Sequence, residues 1–141
     1  MCYNRKTVVK TLGAILRHFG AREGMVIHMS DRAQYIDVND GLNRIRGNKS
    51  LYKRMLGMFK DSAEFIAFEE AMQENDLARG SEVAHGIKGM TGNLGLSRVF
   101  QLSEQLMLQL REGTRDEALL TEYRQALDLT RTYVDEVMAE L

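Results

Sequence analysis

An all-α fold is predicted for this chain: an up-down-up-down four-helix bundle, with a short helix before it and an extra amphipathic helix at the N-terminus. Three observations predict it. The 141 residues contain no proline, so long uninterrupted helices are allowed. Apolar residues recur at i, i+4 and i+7 through most of the chain, the period of one face of a helix. The periodic stretches are separated by short polar or Gly-containing turns, which hold successive helices side by side. The length suits a single core-bearing domain, and neither a repeat nor a low-complexity tract interrupts it.

The first element is a basic leader. Val8, Val9, Leu12, Ile15, Leu16 and Phe19 mark an amphipathic helix over residues 5–19, stopped by Gly20. Arg5, Lys6, Lys10, Arg17 and Arg22 against Glu23 give residues 1–24 a net charge of +4; with −1 overall, the rest carries −5. Residues 1–30 are therefore assigned to an N-terminal extension and 31–141 to the bundle. Docking on the bundle or on a second copy of the chain is the favoured role for the leader. A membrane-surface helix is a weaker reading, since basic residues alone do not establish one. Met25 or Met29 as an alternative start also stays open. The apolar part is too short and interrupted for a secretory signal.

Residues 21–37 read as a linker, and Asp37 to Ile45 as a short helix closed by Gly47-Asn48. One long helix is expected from Lys49 to Gln73. Leu51, Met55, Met58, Phe65 and Met72 form one apolar row in it, and Tyr52, Leu56, Phe59, Ala63 and Ile66 form a neighbouring row. Asn75-Asp76 breaks the pattern, and Asp76 is placed to cap the next helix, Leu77 to Leu94. A helix from Ser97 to Glu112 follows, with Ser97 as its cap and Val99, Leu102, Leu106 and Leu110 as its core row. Phe100, Glu104, Met107 and Arg111 make a second stripe, able to face the preceding helix. Thr114 and Glu117 fit a capping box. The last helix runs to the C-terminus on Leu119, Tyr123, Ala126, Thr130, Val134, Val137 and Leu141.

Composition narrows the function classes. Apolar residues make up 44% and charged residues 28%, an ordinary soluble balance. A net charge of −1 argues against a general nucleic-acid binder. The single cysteine, Cys2, excludes an internal disulfide and a Cys-rich zinc site. No apolar run reaches the roughly 18 residues of a membrane span, and there is no firm sign of membrane binding. The single cysteine permits a reducing compartment, and a cytoplasmic location is expected. Neither a P-loop nor a kinase-type Gly loop is present. His18, His28 and His85 are scattered in unlike contexts, so no metal site is expected.

The chemistry concentrates in Ala84 to Gly95. On a helix of about 100° per residue, Lys88, Gly89 and Gly92 fall within roughly 60° of His85. Val83, Ile87, Met90 and Leu94 fall opposite, as the buried stripe. Each interior glycine costs up to about 1 kcal/mol against alanine. Gly89 and Gly92 beside the histidine therefore suggest close approach of another molecule, whereas Gly95 suits a left-handed cap. A lone helical histidine is most often a plain surface or core residue. An imidazole opposite the apolar stripe, with lysine one turn on and glycine around it, favours function.

These residues carry a resemblance. His85-Gly86-Ile87-Lys88-Gly89, with Asn93-Leu94-Gly95 after it, is similar to the signature of histidine-containing phosphotransfer (HPt) domains, whose usual form is His-x-Leu-Lys-Gly followed by small residues and a Leu-Gly close. The similarity spans Val38 to Glu112, and the last helix fits by architecture only. Met90 and Thr91 are bulkier than the small residues usual there. The resemblance implies an HPt-like bundle that accepts a phosphoryl group on His85 from a receiver-domain aspartyl phosphate and passes it to another receiver aspartate. It implies a phosphocarrier, not an enzyme with kinase or ATPase activity of its own. Lys88 would stabilise the phosphoryl charge, and Gly86, Gly89 and Gly92 would admit the partner. That partner is a response-regulator receiver, including one of a hybrid histidine kinase. No cofactor is implied, Mg²⁺ being expected only in the receiver. Family members often carry a Glu or Gln orienting the histidine ring at the position matching Met107. Glu104, one turn earlier, is the expected substitute here, and a solvated surface Glu is an equal alternative. Arg111 matches a basic position near the phosphate, with an ordinary helix-end cation as the other reading.

Two other classes compete. An enzyme using His85 as nucleophile or base would need a concave pocket with further polar groups. A helical adaptor that has lost phosphotransfer is disfavoured by His85 and Lys88 and kept alive by Met107. The phosphoacceptor helices of dimeric histidine kinases place an acidic residue directly after the histidine, where this chain has Gly86.

Overall fold

The computed structural model describes residues 31–141, and the leader helix expected over residues 5–19 lies outside the described residues. The chain divides between Ala33 and Gln34, and the second unit, Gln34–Leu141, is compact. Six helices follow residue 37: α1 (Val38–Arg44), α2 (Lys49–Lys60), α3 (Ala63–Gln73), α4 (Leu77–Leu94), α5 (Ser97–Arg111) and α6 (Glu117–Glu140). The second unit is an all-helical bundle in which α2 with α3, then α4, α5 and α6, supply the walls. Its α4 packs most extensively against α5 and next against α3, and α5 packs against α6. Part of the expected linker is helical instead, over residues 31–35. Ile36 is buried, and the Tyr35 ring lies 5.5 Å from that of Tyr133.

The single helix expected from Lys49 to Gln73 is two helices. The Ser62 hydroxyl accepts the backbone N–H of Glu64, which starts α3 afresh and ends α2 at Lys60. The restart resets the helical phase. Tyr52, Leu56 and Phe59 are the buried row of α2, and Phe65, Phe68, Ala71 and Met72 that of α3. Ile66, assigned to a core row on an unbroken period, stands 66% exposed past the restart; Met58, assigned to the other row and lying before the break, stands 67% exposed. Phe65 meets Phe59 edge-on at 5.3 Å across the break, so the two halves still share one core.

Both ends of α4 are fixed by side chains. The Asp76 carboxylate accepts the Arg79 N–H at 3.1 Å at its start. Gly95 closes it in the left-handed region with φ 72°, and Leu96 N–H returns to Thr91 C=O at 2.9 Å. The Tyr52 hydroxyl donates to Leu94 C=O at 2.7 Å, satisfying a carbonyl the helix end leaves open. Gly95 is also where α1 lands: Asp37 N–H donates to Gly95 C=O at 2.7 Å. A Cβ on Gly95 would collide with the Asp37 carbonyl oxygen.

Two expected caps are replaced. Leu96, not Ser97, is the N-cap of α5 and makes no side-chain bond; the Ser97 hydroxyl turns back to Gly95 C=O. The α6 cap is Asp116, whose carboxylate accepts the Leu119 N–H at 3.1 Å, so Thr114 and Glu117 form no capping box. The core rows predicted for α5 and α6 are buried as expected except Leu141 at the chain end, which is half-buried.

Candidate functional site

The solvent face of α4 is a strip of His85, Gly89 and Asn93, one turn apart and all exposed. Its opposite face buries Gly80, Ser81, Ala84, Ile87, Thr91 and Leu94. The buried stripe thus runs through two hydroxyl residues and leaves Val83 and Met90 only half-buried. Each hydroxyl is satisfied: Thr91 Oγ1 donates to Ile87 C=O at 2.7 Å, and Ser81 Oγ donates to Met107 C=O on α5 at 2.8 Å.

The three glycines bordering His85 differ in what fills the space of a side chain. A Cβ on Gly89 would meet nothing within 4 Å, so this ground is bare to solvent. A Cβ on Gly92 would stand 3.1 Å from the Phe100 ring, so the chain's own α5 accounts for that glycine. A Cβ on Gly86 would meet the Glu64 carboxylate at 2.9 Å, a mobile side-chain end. Only Gly89 needs an explanation from outside the fold. The sequence could not separate the three, because a missing Cβ reads the same whether α5 or solvent faces it.

The second stripe of α5 does face the histidine side of α4. Glu104 does not reach the ring: its Oε1 is 3.1 Å from Lys88 Nζ. The expected Glu104–His85 bond is corrected accordingly, because an ammonium one turn along α4 captures the carboxylate. The ring instead meets Met107, with His85 Nδ1 3.1 Å from Sδ. Lys88 Nζ also lies 5.8 Å from the Phe100 ring centre. Lys88 and Glu104 are both partly exposed, at 26% and 44%, so their pairing is worth no more than about 1 kcal/mol and yields readily to a stronger anion.

His85 lines two open depressions. One, of about 390 Å³, is shared with Lys88, Gly89, Gly92, Phe100 and Arg44 among others. The other, of about 430 Å³, is shared with Glu82 and Arg111. Arg111 is exposed and makes no hydrogen bond or ion pair among the described residues. An apolar depression of Met55, Met58, Phe59, Met90 and Leu94 adjoins the first through Asn93. Among the described residues no group of His, Cys, Asp and Glu could hold a metal ion, and no helix is long and apolar enough to cross a membrane.

A bundle helix that carries an exposed imidazole, an adjacent ammonium and a bare glycine is an arrangement a known family shares. The family model of the Hpt domain matches residues 54–139. The chain belongs to the Hpt domain family. Hpt domains are phosphocarrier modules that carry out histidine phosphotransfer in phosphorelays and interact with response-regulator receiver domains. The matched span runs from α2 into α6, with α1 outside it. Comparison with curated proteins and with solved structures gave no match.

Proposed function

We propose that His85 is the phosphoacceptor of this Hpt domain, taking a phosphoryl group from a receiver aspartyl phosphate and giving it to the aspartate of another receiver. The observation that carries the reading is the exposure of His85 on open ground in an otherwise well-packed helix. A neutral imidazole has one nitrogen lone pair free for attack. In the forward step that lone pair forms an N–P bond in line with the P–O bond that breaks, and the departing electron pair stays on the receiver carboxylate. Both the acyl phosphate and the phosphohistidine are high-energy, so the step runs in either direction.

Lys88 supplies an ammonium to the phosphoryl oxygens as charge builds on them, leaving Glu104 to do so. Arg111, across the ring, offers a second cation. Gly89 admits the receiver's active-site loops, with Gly86 lying against the Glu64 carboxylate and Gly92 set back under Phe100. The apolar depression beyond Asn93 gives the receiver further surface to cover. The chain needs no cofactor of its own in this scheme, the Mg²⁺ being held by the receiver, and it works as a carrier in the cytoplasm. A receiver borne by a hybrid histidine kinase is the proposed donor.

The test is transfer from a phosphorylated receiver to the full chain, then to a second receiver. Acid-labile, alkali-stable label should appear on the wild type, move on to the second receiver, and be absent from His85→Gln. Label retained by His85→Gln would remove His85 from the role.

A further inference from the structure

We propose that the Met107 thioether is the positioning group for His85: it accepts the Nδ1–H of the neutral ring and leaves the Nε2 lone pair directed outward. The inference rests on reading His85 as the phosphoacceptor, and extends it to which ring nitrogen reacts and what holds the ring.

The geometry is built, not incidental. Sδ of Met107 stands 3.1 Å from Nδ1. Met107 is 5% exposed, so its side chain is held by packing. Its backbone is held as well. The Ser81 hydroxyl, one turn before His85 on α4, donates to the Met107 carbonyl at 2.8 Å and pins the two helices in register. Successive turns of α4 therefore grip one residue of α5, Ser81 by its backbone and His85 by its sulfur. The nearest carboxylate on the same stripe, Glu104, is engaged by Lys88.

An imidazole free in water favours the Nε2–H tautomer, which has no lone pair on the outward nitrogen. An acceptor at Nδ1 reverses that preference. A thioether sulfur is a weak acceptor, so it selects the tautomer and holds the ring less firmly than an amide or carboxylate oxygen would. The contact therefore sets reactivity as well as orientation: a stronger acceptor at position 107 tightens the ring and a non-acceptor releases it.

The test uses the full chain, unphosphorylated, uniformly ¹⁵N-labelled and at alkaline pH where imidazoles are neutral. Long-range ¹H–¹⁵N correlation reads the tautomer of each histidine, and His85→Gln identifies the signals of His85. The expected result is a majority Nδ1–H tautomer in the wild type, a reversal to majority Nε2–H in Met107→Leu, and restoration in Met107→Gln. Leucine conserves volume and removes the acceptor, so the fold should persist. Transfer from a phosphorylated receiver should fall roughly tenfold in Met107→Leu and return to at least the wild-type rate in Met107→Gln. A majority Nε2–H tautomer in the wild type, or identical tautomers in wild type and Met107→Leu, would overturn the proposal. The tautomer readout needs no phosphoryl donor. Failure to label His85 would end the phosphoacceptor reading while leaving the ring contact measured by itself.

Discussion

Replacing Gly89 by glutamine should push stability and transfer in opposite directions. Gly89 lies inside α4, exposed, and a Cβ there meets nothing within 4 Å. The new side chain therefore strains nothing in the folded state. It also removes the backbone freedom that glycine retains when unfolded and supplies a good helix former, a gain of about 0.5–1 kcal/mol. For a domain of this size that is a rise in Tm of roughly 2–6 °C. The same side chain occupies the bare ground one turn from His85. A receiver aspartate must come within bonding distance of the ring, and even 1.4 kcal/mol of obstruction lowers the rate about tenfold. The assay pairs thermal unfolding with initial rates of transfer from a phosphorylated receiver. Higher Tm with transfer lowered about tenfold or more is the expected result. Wild-type transfer in a stabilised Gly89→Gln would refute the idea that a partner approaches the helix at that glycine.

Gly95→Ala should behave in the opposite way, losing about 2–4 kcal/mol in denaturant unfolding, since it must tolerate a left-handed φ and displace the Asp37 carbonyl that seats α1; an unchanged midpoint would contradict the α1–α4 junction. Lys88→Ala should keep the fold and slow transfer about tenfold, while Glu104→Gln should leave the rate at or above wild type, because it frees the ammonium from its 3.1 Å pairing; a slower Glu104→Gln would give that carboxylate a role the geometry denies it. Stability should also fall at alkaline pH. Burial first, then the charges of Asp37 and Asp40, push the Tyr52 hydroxyl up to about 12, and burial pushes Tyr123 up as well. Both folded-state values lie above the unfolded value near 10, so the contribution is whole below about pH 10; the Tyr52 share is lost as pH rises through about 12, and the Tyr123 share at still higher pH. Urea midpoints followed across that window should drop in the wild type and drop less steeply in Tyr52→Phe, which at neutral pH is about 1 kcal/mol less stable for want of the bond to Leu94; equal slopes would contradict the assignment.

How much of this was legible in the sequence depended on whether the signal was local. The bounds of α4 were readable because Asp76 and Gly95 are chemically marked stops whose action needs no partner. The exposure of His85 was readable because it follows from the helical period alone. The break between α2 and α3 was missed because apolar residues continue through it, although Ser62 before Ala63-Glu64-Phe65 carried the cap signal. Asp116 caps α6 in place of Thr114 for a different reason: several side chains near a turn can cap, and backbone geometry chooses one. The Glu104 and Met107 assignments turned on something no single helix encodes. The second stripe of α5 was correctly aimed at α4, but the rotation of one helix against the other decides which residue meets the ring. That rotation is set by the Ser81 bond to the Met107 carbonyl and by Phe100 filling the notch at Gly92. The leader falls outside the described residues, and its role is carried by sequence pattern alone.

The most direct measurement is the location of the phosphoryl group. The full chain should be incubated with a phosphorylated receiver domain, digested at neutral to alkaline pH, and its peptides fragmented by electron transfer so that the phosphoramidate survives. A single added phosphate on His85, absent from the other two histidines and from every aspartate, is the predicted result. Phosphate found elsewhere on the chain, or none on a folded protein given a competent cognate donor, would contradict the account.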